Sequence, residues 1–284
     1  MKISDNKAEF NLLGKILIHS LSPLIHKKLF ELSGLNYSYG IVEADENELK
    51  QASDKLNSGR GYNITIPYKC EIIKYLDKLD ETAQRYGAVN CVDCKNGVLT
   101  GYNTDVNGFL KSLEVRGIDT GSNVLLLGCG GAGRMMAVET LRHGGKLTIA
   151  VREQSIEKTK SLVCELTEKF GGSADVLEYG EINGYFDVML NSTPIGMFPN
   201  IDGCPVGDDV ISSCDAVFDA VYNPTETVLL SKAKRAGKIA VGGMAMLVYQ
   251  AVEAHRIWYG GEFSEKDIAQ IINQAERGLA DEKR

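Results

Sequence analysis

No apolar run in the 284 residues approaches the roughly 18–20 positions of a membrane span. The opening stretch, MKISDNKAEF, lacks the apolar core of a secretory signal. A cytoplasmic protein is the resulting expectation. Excess positive charge is also missing: the formal net charge is −7, which argues against a nucleic-acid partner. There is no low-complexity segment and no repeat of solenoid period. The chain has no G-x-S-x-G elbow. His19 and Ser20, as neighbours on an extended segment, point to opposite faces, so a serine hydrolase built on them is excluded. Cys91-x-x-Cys94 is accompanied by no second C-x-x-C and no run of histidines. The seven cysteines (Cys70, Cys91, Cys94, Cys129, Cys164, Cys204 and Cys214) are odd in number and scattered, as free thiols in a reducing compartment are. Cys91 and Cys94 lie in AVNCVDCKNGVLTGYN, which reads as a hairpin turning at Asn96-Gly97. Positions i and i+3 of a strand face opposite sides, so neither a shared metal nor a disulfide is expected there.

What is present is an alternation. Hydrophobic residues make up 44% and charged residues 24%, as in ordinary soluble proteins. The length exceeds what one core usually organises, so two domains are expected. Strands are predicted at 8–14, 36–44 and 61–66, and helices at 23–34 and 46–58. A helix from Pro67 to about Tyr75 and the hairpin follow. The second half predicts strands at 123–128, 146–151, 174–179, 187–193, 216–222 and 238–243, with helices filling most of the gaps. Such a rhythm signals an α/β fold. The boundary is placed near 103–108, which gives one domain of 1–104 with 243–284 and another of 105–242. The tail LADEKR is expected to fray.

NVLLLGCGGAGRMMAVETL runs from strand residues through Gly128-x-Gly130-Gly131-x-Gly133 into a helix. Glycines at that junction let a backbone approach a pyrophosphate at a helix N-terminus. The next strand ends Val151-Arg152-Glu153. Arg152 speaks for the 2′-phosphate of NADP, and Glu153 would repel it, so NAD stays open as the alternative.

Elsewhere three helix starts carry polar groups. In HSLSPLIHKKLF, Pro23 fits the first helical position and Ser22 the N-cap; with Ser20 this makes a seat for a small carboxylate or simply a capped helix. In GYNITIPYK, Asn63 and Thr65 share a face, and Pro67 would start a helix with Lys69 in its first turn. A cation there sits at the unfavourable end of the dipole, so the lysine pKa is expected to fall and the amine to trade a proton near neutral pH. GYNTDVNGFLKSL places Asn103, Thr104 and Asp105 at the third start, and YGAVNCV puts Asn90 on a strand.

HSLSP, YNITIPYK, GAVN, YNTDVNG, GCGGAGR, NSTPIGM and MLVYQA occur in the order and spacing of the shikimate dehydrogenase family, from His19 to Gln250. The resemblance implies two α/β domains, an N-terminal substrate-binding domain and a Rossmann-type dinucleotide-binding domain, with a cleft between them. It implies NADP-linked, metal-free, reversible reduction of 3-dehydroshikimate to shikimate in aromatic amino-acid biosynthesis, by a monomer or homodimer. Residue by residue, Lys69 and Asp105 match the catalytic pair, and Ser20 and Ser22 the serines that bind the substrate carboxylate. Asn63, Thr65, Asn90 and Gln250 match residues bonded to the ring hydroxyls, and Tyr222 a tyrosine lining the site. Gly128, Gly130, Gly131, Ala132, Gly133, Arg152, Thr193 and Gly243 match cofactor-binding positions. The chain departs from the usual pattern at Val151-Arg152-Glu153, at Gly242-Gly243-Met244-Ala245 and at Cys91. A quinate/shikimate dehydrogenase using NAD and a non-catalytic dinucleotide and polyol sensor are the alternatives. The presence of both Lys69 and Asp105 speaks against the sensor.

Overall fold

The structure, a computed structural model, describes residues 2–3, 9–18 and 20–281. His19 and residues 282–284 of the tail lie outside the described residues. The chain divides into two compact units. One holds the residues up to Gly108 together with Val248–Arg277; the other holds Phe109–Leu247 and the residues from Gly278.

In the first unit the chain runs β1 (Lys2–Ile3), β2 (Phe10–Gly14), α1 (Ser22–Leu32), β3 (Tyr39–Glu43), α2 (Leu49–Leu56), β4 (Gly61–Ile64), β5 (Lys78–Leu79), α3 (Glu81–Tyr86), β6 (Cys91–Lys95), β7 (Val98–Tyr102) and into α4 (Asp105–Glu114). The sheet order is β1-β3-β2-β4-β6-β7-β5. β3, β2 and β4 are parallel, whereas β4, β6 and β7 pair antiparallel. β6 and β7 form the expected hairpin. Its two turn residues, Asn96 (φ 54°) and Gly97 (φ 74°), are both left-handed, as a two-residue hairpin loop requires.

β2 and β4 are buried on both faces. One face packs Leu13, Tyr62 and Ile64 against Leu49, Ala52 and Leu56 of α2. Phe10, Phe30, Cys91, Ala254 and Trp258 make a second cluster. Trp258 packs on Phe10 with ring centroids 4.4 Å apart and planes tilted by 34°, and donates its indole N–H to Val92 O at 3.0 Å. The tryptophan fits because position 61 has no side chain: a Cβ on Gly61 would lie 2.4 Å from Trp258 Nε1 and 2.8 Å from Val92 O. Gly61→Ala is therefore expected to destabilise this unit by about 1–3 kcal/mol, the usual cost of overpacking. Urea unfolding followed by the fluorescence of Trp258, the single tryptophan, measures it.

The second unit alternates β8 (Asn123–Leu127), α5 (Gly131–Arg142), β9 (Lys146–Val151), α6 (Ile156–Phe170), β10 (Ser173–Glu178), β11 (Phe186–Asn191), α7 (Asp208–Ser212), β12 (Cys214–Asp219), α8 (Val228–Arg235) and β13 (Ile239–Gly242). Its six strands are all parallel in the order β10-β9-β8-β11-β12-β13. Counted within the unit this is 3-2-1-4-5-6, the doubly wound order of dinucleotide-binding sheets, whose order reverses between β8 and β11. α9 (Gly243–Tyr259) and α10 (Glu265–Asp281) follow. The division between the units falls within α4 and α9, a few residues past their starts.

Three local expectations are corrected. Ser22 is the first residue of α1, not its cap; Leu21 holds the cap position and makes no side-chain bond. The first-turn N–H of Ser22 is instead met by Ser20 Oγ at 3.3 Å. After Pro67 no regular helix starts. Hydrogen-bonded turns span 66–70 and a short 3₁₀ segment covers Glu71–Tyr75. Lys69 thus precedes that segment, and the dipole argument for it lapses. The strand predicted over 61–66 ends at Ile64, and Ile66 is 75% exposed.

Candidate active site

The first unit gathers most of the polar residues singled out above into one hydrogen-bonded chain. β4 ends in a turn closed by Tyr68 N–H to Thr65 O (3.0 Å), which delivers Lys69 beside the start of α4. There Lys69 Nζ donates to Asp105 Oδ2 at 2.6 Å. The two side chains keep 28% and 22% of their exposure, so solvent and ligands reach the pair. Asp105 Oδ1 accepts from Asn90 Nδ2 at 2.8 Å. Asn90 is itself fixed: its Oδ1 accepts the Thr104 N–H at 2.6 Å. Gln250 Oε1 lies 3.4 Å from both Asn90 Nδ2 and Thr104 Oγ1. Asn63 Nδ2 donates to Asn90 O at 3.1 Å. Thr65 is half-buried next to Gly14, where a Cβ would meet Thr65 Cγ2 at 2.7 Å. Ser20 and Ser22 are joined at the α1 N-terminus.

Tyr222 and Gly243 belong to the second unit. Tyr222 is half-buried after β12, its phenol pushed up by burial. At Gly243 a Cβ would lie 2.3 Å from Ala220 O, so only glycine fits there.

In the second unit a cavity of about 630 Å³ is lined by Gly128, Cys129 and Gly130 after β8, Arg152 after β9, Lys158 of α6 and Ser192–Ile195 after β11. It lies at the carboxyl ends of β8 and β11, where the strand order reverses. The loop glycines have separate reasons. Gly128 is left-handed (φ 81°), and a Cβ there would strike Thr193 Cγ2 at 2.7 Å. Gly133 packs α5 on the strand ends, its Cβ position 2.5 Å from Ser192 Oγ. Around Gly130 and Gly131 a Cβ would meet no protein atom within 4 Å, so the room beside them is open to a ligand. Cys129 adds no charge, because burial pushes its thiol up to about 11.

Arg152 lines the cavity, whereas Glu153 is exposed at the start of a 3₁₀ turn and is not among the lining residues. Arg134 is taken by Glu165 at 2.7 Å. Thr193 is held by Asn191 Oδ1, which accepts from its N–H (3.0 Å) and hydroxyl (2.7 Å). Asn191 Nδ2 in turn donates to the buried Asp219 at 2.9 Å. Burial pushes the Asp219 carboxyl up, against hydrogen bonds from Thr227, Val221 and Asn191.

A model of the shikimate dehydrogenase substrate-binding domain matches residues 12–92. The chain is 36% identical over 273 residues to the shikimate dehydrogenase (NADP⁺) of Caldanaerobacter subterraneus subsp. tengcongensis, covering 94% of this chain and 97% of the relative. The chain belongs to the shikimate dehydrogenase family. A solved shikimate dehydrogenase in complex with NADP⁺ superposes with a TM-score of 0.86 at 35% identity, covering 95% of this chain and 96% of that one. The shikimate 5-dehydrogenase of Thermus thermophilus, solved with NADP(H) and shikimate, gives 0.82 at 30% identity, covering 94% and 98%. In this member of the family, sequence reasoning passes over Lys158, Asn191 and Tyr39. Lys158 stands six residues after Arg152, at the start of α6, and that basic spacing is a usable signal. Asn191 stands two residues before the Thr193 it holds, an Asn-x-Thr spacing that is also a usable signal; Tyr39 carries none, since its partner, Asn63, is brought in by the fold.

Among the described residues no helix is long and apolar enough to cross a membrane, and no group of three His, Cys, Asp or Glu side chains converges as a metal site would need.

Proposed function

We propose that this protein catalyses the reversible NADP-dependent reduction of 3-dehydroshikimate to shikimate. The observation that carries the reading is the Lys69–Asp105 pair, partly exposed and tied through Asn90 to Asn63 and Gln250, in a chain whose relatives of that activity align over nearly their whole length. The Lys69 ammonium donates a proton to the ring carbonyl oxygen as that oxygen becomes an alkoxide; in the reverse direction the amine takes it back. Asp105 holds the ammonium in place. Ser20 and Ser22 seat the carboxylate at the α1 N-terminus, while Asn63, Thr65, Asn90 and Gln250 bond the ring hydroxyls. NADP, when bound, supplies or takes the hydride. Its diphosphate fits the open room at Gly130 and Gly131, with Ala132, Gly133 and Thr193 shaping the cradle. Arg152 and Lys158 take the 2′-phosphate; both are free of ion pairs with described residues and flank the cavity.

Absorbance of the reduced nicotinamide, with shikimate or quinate mixed with NADP or NAD, tests the reading. Shikimate with NADP is expected to be the fastest pair. Arg152→Gln is expected to raise KM for NADP about 10- to 100-fold, the worth of a charged hydrogen bond, and to leave KM for NAD unchanged. Equal rates with NAD and an indifferent Arg152→Gln would assign the cofactor to NAD. Turnover of quinate alone would change the substrate.

A further inference from the structure

The chain of hydrogen bonds from Lys69 continues beyond Asn63. Tyr39, on β3, donates its hydroxyl to Asn63 Oδ1 at 2.8 Å. Asn63 is 4% exposed and gives one Nδ2 hydrogen to Asn90 O. An asparagine side chain offers one carbonyl and two N–H groups. The carbonyl already accepts from Tyr39 and one N–H is given to Asn90 O, so the second N–H is the donor left for a ligand. If the amide turned over, its oxygen would face the Asn90 carbonyl, acceptor against acceptor, in a buried place where an unmet polar group costs most. Tyr39 cannot drift out of this role, because its ring lies flat on His26 with centroids 4.1 Å apart and planes 6° from parallel. His26 Nδ1 is in turn 2.8 Å from His255 Nε2. Burial pushes the Tyr39 phenol well above its usual value, so the hydroxyl keeps the proton it donates.

We propose that Tyr39 is a positioning residue that, with the Asn90 carbonyl, fixes Asn63 as a hydrogen-bond donor toward the substrate. The partner of Asn63 is then an oxygen that accepts, a hydroxyl or carbonyl oxygen of the ring, and the site selects for that oxygen. The inference rests on the reading above, in which Asn63 meets the substrate.

Two variants of the full-length enzyme test it, with KM for shikimate, KM for NADP and kcat measured separately. Tyr39→Phe keeps the stack on His26 and removes only the hydroxyl. It is expected to raise KM for shikimate about tenfold, the net worth of one hydrogen bond, with KM for NADP unchanged and kcat within about threefold. Asn63→Asp has the same shape but no donor at neutral pH. It is expected to raise KM for shikimate by about a hundredfold or more, as sites built around one hydrogen bond do when it is lost. Wild-type-like shikimate KM in Asn63→Asp would mean that the ligand meets an acceptor, which overturns the assignment. An unchanged shikimate KM in Tyr39→Phe, or an equal rise in both KM values, overturns the positioning role. A wild-type enzyme that turns over no shikimate removes the underlying reading, and with it this inference, and is told apart by its silence in every arm.

Discussion

Replacing Lys69 by alanine is expected to lower kcat by about 10²- to 10⁴-fold, the range that general acid–base catalysis supplies, with the shikimate dissociation constant changed far less. The expectation comes from the position of the ammonium. It is held at 2.6 Å by Asp105, which is fixed in turn by Asn90 at 2.8 Å, and it remains partly exposed. A group so held is aimed but not consumed by its partner. Lys69→Arg sharpens the test. Arginine keeps the positive charge and can still pair with Asp105, but it does not give up its proton. If Lys69 acts as the proton donor, the arginine variant should lose kcat nearly as fully as alanine. If Lys69 acts only as a fixed charge near the alkoxide, arginine should restore most of the rate. Steady-state kinetics with equilibrium binding of shikimate separates these outcomes, and full turnover in Lys69→Ala would remove Lys69 from the mechanism.

Much of this site was legible because its residues carry local signals. The glycine loop announces itself by spacing, and the parallel order of the second unit follows from alternating strands and helices with short connections. Lys69 and Asp105 stand out as polar residues next to turns and helix starts, whereas Asn90, expected on a strand, sits in the bend just before β6. Other features were not legible. β4 is buried on both faces, so alternation could not say which side of it meets a ligand. The break after Pro67 replaces a helix by turns, because Tyr68 bonds back to Thr65 and Ile72 to Tyr68 before any longer ladder forms; proline at a first helical position permits a helix but does not create one. Ser22 looked like a cap by residue type, yet Ser20 supplies the oxygen one step earlier. Tyr39 holds Asn63 from a strand 24 residues away in sequence, and no local pattern encodes a partner that pairing brings in.

The first unit is also expected to lose stability as pH falls below about 6.5, before its surface carboxylates begin to protonate. His26 and His255 are fully buried and face one another at 2.8 Å. Burial holds His255 down at about 3, and burial together with the neighbouring His255 holds His26 well below the ordinary value. In the unfolded chain both titrate near 6.5. Below that pH the unfolded state binds protons that the folded state refuses, so stability declines with falling pH and keeps declining until the folded-state value is reached. For His255 the gap from 6.5 to about 3 amounts to roughly 5 kcal/mol at full protonation, at about 1.4 kcal/mol per pH unit for one proton. That is comparable with the whole stability of many domains. Asp93, whose carboxyl burial pushes up, works in the opposite direction, so a variant is needed to isolate the histidine. His255→Gln keeps a donor and an acceptor but cannot titrate. Trp258 packs 5.6 Å from His255 and reports on this unit. Urea unfolding followed at Trp258 should show a steep loss of stability between about pH 6 and 5 in the wild type. The slope should fall by about 1.4 kcal/mol per pH unit in His255→Gln. Equal slopes would mean that His255 is reached by protons in the folded protein, and that the aromatic cage of Phe30, Trp258 and Phe263 around it does not keep it neutral.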